Sequence, residues 1–251
     1  MTLTVGSLFA GIGGFDLGLE RAGMRVRWQV EIDPYCQRVL AKHWPAVTRY
    51  GDIREVDWHA VEPVDLLCGG FPCQDISLAG KGVGLTGERS SLWFEYVKAI
   101  EAIHPRYVII ENVAALRSRG LDQVLRGLAA LGFDAEWHVL SACAFGAPHT
   151  RERLFVVAYS EGTRLEGDRA LALRTQPAIG TLRDSSTRGS WATESRPIGV
   201  AHGIPHRVDR LRGLGNAIVP QIAEWLGRQI IIAQEDTYDR SRTREAGTVF
   251  S

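Results

Sequence analysis

The stretch LTVGSLFAGIGGFDLGLE runs an apolar strand pattern into a cluster of glycines and then straight into a helix pattern. No other feature restricts the fold as much. A strand that ends at Gly11, Gly13 and Gly14 and turns at once into an amphipathic helix near 14–22 must lay that helix back along itself, which leads on to a parallel strand. The glycines at 11, 13, 14 and 18 permit a tight turn and bring backbone N–H groups close to a ligand at the helix amino end. About 20 residues further on, Glu31 closes a second apolar run in QVEID, where a carboxylate can accept both ribose hydroxyls of an adenosine. The glycines alone also admit a purely structural turn. Asp52 of GDI reads either as an acceptor for an adenine amino group or as a cap or turn residue. Taken in order, the three features favour an adenosine-containing cofactor.

Short apolar runs alternate with amphipathic segments through the first 160 residues, the pattern of an α/β sheet covered by helices on both faces. Strands are predicted near 3–9, 25–30, 64–67, 107–110, 136–140 and 154–158, and helices near 14–22, 34–43, 91–103 and 121–131. Asp33 is placed to cap the second helix, and Pro34 stands where a missing N–H costs nothing. A chain of 251 residues, 45% hydrophobic and 23% charged, suits one sizeable core with a small appendage. No apolar run approaches the roughly 18 residues of a membrane span, and MTLTVGSLFA lacks the basic region and cleavage pattern of a signal peptide, so a soluble intracellular protein is expected. Cys36, Cys68, Cys73 and Cys143 show no CxxC pairing. Reduced thiols are expected, with neither a metal site nor a disulfide framework.

From about 160 to about 207 the periodicity fails, and Gly, Ser, Thr, Arg and Pro dominate in segments such as RDSSTRGSWATESRP. Regular patterning returns in NAIVPQIAEWLGRQIII, predicted to be a helix packed on the sheet, and a polar tail from about 235 is expected to fray. The formal net charge is zero, but residues 1–150 hold 14 basic and 17 acidic groups while 151–212 hold 11 and 7. All 11 of those bases are arginine. Guanidinium groups bind phosphates and guanine edges bidentately, which fits a DNA-contacting face. The same composition also describes a solvated, disordered insert.

The segment GGFPCQDIS follows the apolar run VDLLCGG and places Cys73 between Pro72 and Gln74 at a strand's carboxyl end. Open α/β sheets bind substrates there, so the thiol is a candidate nucleophile as well as a candidate packed small residue. Glu111 and Asn112 close the strand RYVII next to it. A buried carboxyl beside a thiol suits protonation of a heteroaromatic ring nitrogen. In RER, Arg151 and Arg153 fall on one side of a strand and Glu152 on the other. The two guanidiniums can hold a base carbonyl, the Glu111 carboxyl or a phosphate, or can simply form a charged strand entry.

FAGIGGFDLGLE, GGFPCQDIS, ENV and RER, in this order and spacing over roughly 190 of the 251 residues, resemble the DNA (cytosine-5)-methyltransferases of the short bacterial or phage type. The resemblance implies a Rossmann-like S-adenosylmethionine-dependent methyltransferase fold with a mixed, mostly parallel sheet and a small irregular target-recognition lobe. It implies a catalytic and cofactor-binding domain at 1–159, a recognition region at 160–206, a return to the catalytic domain at 207–234 and a polar tail at 235–251. It places Phe9, Ala10, Gly11, Gly13 and Gly14 around S-adenosylmethionine, with Glu31 on the ribose and Ile32, Asp52 and Ile53 around the adenine. Phe71, Pro72 and Leu92 are implied to lie near the cofactor, and Gly215, Asn216 and Ala217 to return to the same pocket. Arg207 and Arg210 match the family's link between lobes. Cys73, Glu111, Asn112, Arg151 and Arg153 are implied to be catalytic. The sequence departs from the family in two ways: His149 stands where many members carry glutamine, and the recognition stretch is short.

The activity so implied is methyl transfer from S-adenosylmethionine to carbon 5 of a cytosine flipped out of double-stranded DNA, through a covalent adduct with Cys73. The implied setting is a cytoplasmic, nucleoid-associated monomer that needs no membrane and has a possible restriction endonuclease as partner. Three rivals remain at this point. These are RNA cytosine-5 methylation by the same chemistry, a non-catalytic DNA-binding relic of the fold, and a nicotinamide-dependent dehydrogenase, which leaves Cys73 and RER unexplained.

Overall fold

The computed structural model describes residues 2–72, 91–160 and 213–248. Its elements are β1 (Thr4–Leu8), α1 (Gly14–Arg21), β2 (Arg25–Val30), α2 (Pro34–His43), β3 (Thr48–Tyr50), β4 (Leu66–Gly69), α3 (Ser91–Ile103), β5 (Tyr107–Val113), α4 (Leu116–Arg119), α5 (Leu121–Ala130), β6 (Phe133–Ser141), β7 (Glu152–Ser160) and α6 (Pro220–Thr248). Seven strands form one sheet in the order β3-β2-β1-β4-β5-β7-β6. The pairs β1–β2, β2–β3, β1–β4 and β4–β5 are parallel, and β7 runs antiparallel to both β5 and β6. The six predicted strands are all present. β3 escaped the pattern because three residues, Thr-Arg-Tyr, carry no readable period, and α4 is equally short.

The chain leaves β1 toward β2 and β3, then crosses back to β4 and β5 on the other side. Strand order therefore reverses at β1, and the crevice between the carboxyl ends of β1 and β4 is where open α/β sheets bind ligands. Both faces of the sheet are covered. On β5, Val108 and Ile110 join Trp93, Tyr96, Ile100, Val124 and Leu128 on one side. Tyr107 and Ile109 join Phe15, Leu19, Ala223, Leu226 and Ile230 on the other. Alternation along a strand buried on both faces produces the near-continuous apolar run seen in the sequence.

Local chemistry sets the helix ends. The Asp33 carboxylate accepts from the N–H groups of Tyr35 and Cys36 at 2.8 and 3.1 Å, with Pro34 in the first turn of α2. α6 packs along α1 through glycine: a Cβ on Gly18 would stand 2.3 Å from the Pro220 carbonyl oxygen and 2.5 Å from the Ala223 Cβ. α6 also runs on to Thr248, beyond the point where the polar tail was expected to fray. Polarity does not end a helix. No proline interrupts 236–248, and Asp236 and Arg240, like Asp239 and Arg242, stand at spacings that favour helix.

One polar cluster interrupts the α1 face of the sheet. Ser7 of β1 pairs in register with Gln29 of β2 and with Cys68 of β4, and Asp16 of α1 covers that row. Its carboxylate accepts from Ser7 Oγ at 3.1 Å and from Gln29 Nε2 at 2.8 Å. All four residues are completely buried. Burial pushes the Asp16 carboxyl up to about 6, against the opposing effect of the Gln29 and Ser7 hydrogen bonds, and it pushes the Cys68 thiol well up.

Two stability measurements follow from this packing. Gly18→Ala forces α1 and α6 apart and is expected to cost about 3 kcal/mol in urea unfolding. For Asp16, the folded carboxyl holds a proton that the unfolded one releases near pH 4, so its ionisation penalty is fully present above about pH 6 and disappears as pH falls. The stability of the native protein relative to Asp16→Asn is therefore expected to rise by about 2 kcal/mol between pH 7.5 and 4.5. An unchanged difference would show that Asp16 does not titrate in this range.

Candidate active site

The glycine turn begins with strain. Phe9 has φ 50°, a left-handed value uncommon for a non-glycine residue, followed by Gly11 at 57° and Gly13 at 87°. Ala10 N–H still donates to the Val30 carbonyl at 3.0 Å, which keeps the turn attached to β2. A Cβ on Gly11 would meet nothing within 4 Å among the described residues, so that side of the turn is open. Gly14 differs, because the space its missing Cβ leaves is taken by the backbone of Ile218, at 2.6 Å to the carbonyl oxygen. The segment after residue 212 therefore lies against the glycine turn through Ile218. Gly213 lies against Ile12 and Tyr35, Asn216 is exposed and Ala217 is half-buried.

Glu31 stands at the end of β2 with its carboxylate already oriented. Gly11 N–H donates to Oε2 at 2.7 Å and Asp33 N–H to Oε1 at 2.8 Å. A carboxylate has about four lone-pair positions, so two donors leave it able to accept more. Ile32 beside it is 61% exposed, a large apolar side chain at the rim of the crevice. Ile53, expected near the same ligand, is buried in the hydrophobic core. Asp52 caps the short turn Ile53–Glu55, accepts from Arg54 N–H at 3.0 Å and pairs with the Arg54 guanidinium. That hydrogen bond to Arg54 holds its carboxyl below the usual range. The cap reading of Asp52 is thus realised.

On the other side of the switch point, the space beside Gly69 and Gly70 is filled by the protein itself. A Cβ on Gly69 would stand 2.5 Å from the Leu8 carbonyl oxygen, and one on Gly70 would stand 2.6 Å from Glu111 Oε2. The two glycines let β4 approach β1 and let the Glu111 carboxyl lie against the loop that leads to Cys73. Phe71 is buried with its ring centroid 5.3 Å from that of Trp93. Trp93 in turn lies 5.8 Å from Tyr96, and Tyr96 lies 6.3 Å from Phe9. This aromatic row, with half-buried Leu92 packed on the same cluster, links the two loops beneath the crevice. Pro72 is exposed.

Glu111 is 8% exposed and Asn112 is 3% exposed. In the β5–β7 register Val113 faces Arg153, which makes Glu111 and Arg153 diagonal neighbours on one face. Arg153 Nε lies 3.0 Å from Glu111 Oε1. The contact is an ion pair without hydrogen-bond alignment, since Oε1 is buried and accepts no hydrogen bond among the described residues. Burial raises the Glu111 carboxyl above its usual value, and the positive charges of Arg153 and Arg151 pull it partly back. The charges of Arg151 and Arg153 thus both act on Glu111. Burial lowers the Arg151 guanidinium, and its Nη1 donates to the Gly215 carbonyl, joining the start of β7 to the returning segment. Asn112 turns away from this group: Nδ2 donates to the Phe71 carbonyl at 2.9 Å and Oδ1 accepts from Val113 N–H at 2.9 Å. It holds the loop before Pro72 in place.

Cys73, the 160–206 stretch apart from Ser160, and the Arg207 and Arg210 positions lie outside the described residues. Sequence reasoning missed the aromatic row and the Asp16 cluster. A readable signal existed for the second, in Ser7 and Gln29, polar residues flanked by apolar ones near the carboxyl ends of two strands.

The model of the C-5 cytosine-specific DNA methylases matches residues 3–193. The chain belongs to that family. Among curated relatives, it is 40% identical over 164 residues to the Type II methyltransferase M.Eco47II of Escherichia coli, covering 62% of this chain and 39% of that one. It is 35% identical over 158 residues to M.DsaV of Dactylococcopsis salina, covering 61% and 45%. The chain thus spans less than half the length of these relatives. Among solved structures, a DNMT2 variant of Spodoptera frugiperda superposes with a TM-score of 0.57 at 18% identity, over 67% of this chain and 53% of that one. The fold is the Rossmann-like α/β fold of such methyltransferases.

In this family member the carboxyl of Glu111 is balanced between burial and two guanidiniums. Arg153→Gln is expected to move its titration midpoint upward, because charge that favours the ionised form is removed. Carbon-detected NMR of the labelled carboxyl checks this, and a downward shift would show that Arg153 does not set it.

Proposed function

We propose that the chain methylates carbon 5 of a cytosine flipped out of double-stranded DNA, using S-adenosylmethionine and a covalent adduct to Cys73. The observation that carries this reading is Glu111: a buried, upward-shifted carboxyl packed against Gly70, three residues before Cys73 in the chain. Three residues span at most about 11 Å, and this short tether supports reading the thiol and the acid as one site. The described residues fit the methyl donor. Glu31, held by Gly11 and Asp33, would take the ribose. Gly11 offers an open backbone face and Ile32 an exposed apolar one to the nucleoside. Phe9 and Phe71 would line the same crevice with Leu92 and Asn216. When bound there, the donor supplies an electrophilic methyl group.

The protein's part is to make carbon 5 electron-rich. The Cys73 thiolate adds to carbon 6 of the ring, forming a C–S bond, while Glu111 gives its proton to ring nitrogen 3. The negative charge left on Glu111 is met by Arg153 and Arg151, which already face it. Asn112 keeps the Phe71 carbonyl, and with it the entry to Pro72 and Cys73, in a fixed position. After methylation, the carbon 5 proton passes to solvent water as the C–S bond breaks and the thiolate leaves, and nitrogen 3 returns its proton to Glu111, which restores the aromatic ring and the acid. Flipping the base costs a few kcal/mol, which arginines of 151–212 offset through phosphate and base contacts. We assign 160–206 to target recognition. The Type II names of the relatives support a cognate restriction endonuclease as partner, and action on DNA supports a place at the nucleoid in the cytoplasm. Among the described residues no helix is long and apolar enough to cross a membrane.

Methyl transfer to mixed-sequence duplex DNA and to transfer RNA, measured side by side, tests the reading. Incorporation into DNA alone is expected. Cys73→Ser should lower it by about a thousandfold or more and Glu111→Gln by about a hundredfold or more. Retained turnover without Cys73 excludes the covalent route. Donor binding without turnover on any DNA points to a non-catalytic relic.

A further inference from the structure

The mechanism leaves one buried carboxyl among the described residues unused. Asp16 sits inside the sheet–helix interface, in contact with two strands whose ends carry the glycine turn and Glu31. Ser7, Gln29 and Cys68 form one register row across β1, β2 and β4. Each lies two residues before a group at the crevice: Ser7 before Phe9, Gln29 before Glu31, and Cys68 before Gly70. Asp16 itself lies in the first turn of the helix that the glycine turn begins. The cluster thus joins α1, β1, β2 and β4, one layer below the rim.

A purely apolar row would give a tighter core, because a buried carboxylate costs desolvation that two hydrogen bonds only partly offset. What the polar row adds is direction. Ser7 Oγ and Gln29 Nε2 donate to the two different oxygens of one carboxylate, which fixes the offset of β1 against β2 at a point where their pairing is irregular, with a register shift between Val5 and Gly6. A second tie between the same elements lies at the rim, where Gly11 N–H donates to Glu31. That rim carboxylate is the one a nucleoside's hydroxyls would share. The buried tie is shared with no ligand.

Resting on the methyltransferase reading above, we propose that Asp16 is a positioning residue for the methyl donor, holding the glycine turn and Glu31 at the separation that the donor's nucleoside needs. Asp16 touches neither donor nor base; it acts through Ser7 and Gln29. Its effect therefore falls on donor affinity and not on the chemical step at saturation.

The test uses the full chain with S-adenosylhomocysteine as the calorimetric probe and S-adenosylmethionine in turnover. In Asp16→Ala, both the dissociation constant and the KM for the donor are expected to rise about tenfold. The kcat at saturating donor should stay within about threefold, a window narrower than one decade of rate. Asp16→Asn restores most of the affinity, because its amide oxygen accepts from Gln29 Nε2 and its amide N–H donates to Ser7 Oγ. A merely structural residue would lower the melting temperature of Asp16→Ala and leave the folded protein's affinity unchanged, and that result overturns the proposal. Loss of kcat with affinity intact overturns it too, as does equal impairment in Asp16→Asn. If Asp16→Ala does not fold, Ser7→Ala removes a single hydroxyl and is expected to weaken binding about threefold; unchanged affinity in that variant overturns the proposal equally. A native protein that binds no S-adenosylhomocysteine defeats the methyltransferase reading itself, whereas native binding with an unaltered Asp16→Ala defeats the positioning role alone.

Discussion

β1 pairs in parallel with β2 on one side and with β4 on the other, and the whole arrangement of the site depends on that double pairing. Parallel strands end on the same edge of a sheet, so the chain must return across a face after each one, and every loop that follows a strand is delivered to one rim. Phe9 to Gly14 after β1, Glu31 to Asp33 after β2 and Gly70 to Pro72 after β4 reach the rim together for that reason. The glycine-mediated contacts make the pairing close. Gly69 lies against the Leu8 backbone and Gly70 against Glu111, so β4 comes nearer to its neighbours than a chain with side chains there would allow.

The rim holds two kinds of charge with different surroundings. Glu31 is held by two backbone N–H groups and lies at the open end of the crevice, where its remaining lone pairs can accept hydroxyls. Glu111 is buried, has one oxygen with no aligned donor among the described residues and is raised by desolvation. That is the setting in which a carboxyl keeps a proton to give. Packing thus gives two carboxyls at one rim different surroundings, one open and held by backbone N–H groups, the other buried between guanidiniums. Arg151 adds a structural duty to its electrostatic one, since its bond to the Gly215 carbonyl ties the start of β7 to the segment returning from the far end of the chain.

Much of this is legible in the amino-acid order. The apolar runs, the Asp33-Pro34 helix start and the succession of the glycine turn, Glu31, Pro-Cys, Glu-Asn-Val and Arg-Glu-Arg define the class of fold and point to the rim of β1 and β4. Other features are not legible there. Gly14, Gly18, Gly69 and Gly70 look like room for a ligand, yet they make room for Ile218, Pro220, Leu8 and Glu111, because a missing side chain shows where space is needed and not what fills it. The bond from Asn112 to the Phe71 carbonyl, a partner 41 positions away in the chain, is not legible there either.

By itself, the sequence determined the local events: where strands run, where helices start, and which residue types stand at strand ends. These depend on periodicity, capping and backbone freedom over a few residues, and all of that is written in consecutive positions. The tertiary structure alone decided which of those residues meet. It brought Arg153 to Glu111, the Ile218 backbone to Gly14, and Asp16 to Ser7 and Gln29. Such contacts depend on register and helix packing between distant segments, and desolvation then sets the proton affinity of each acid according to the neighbours it finds there.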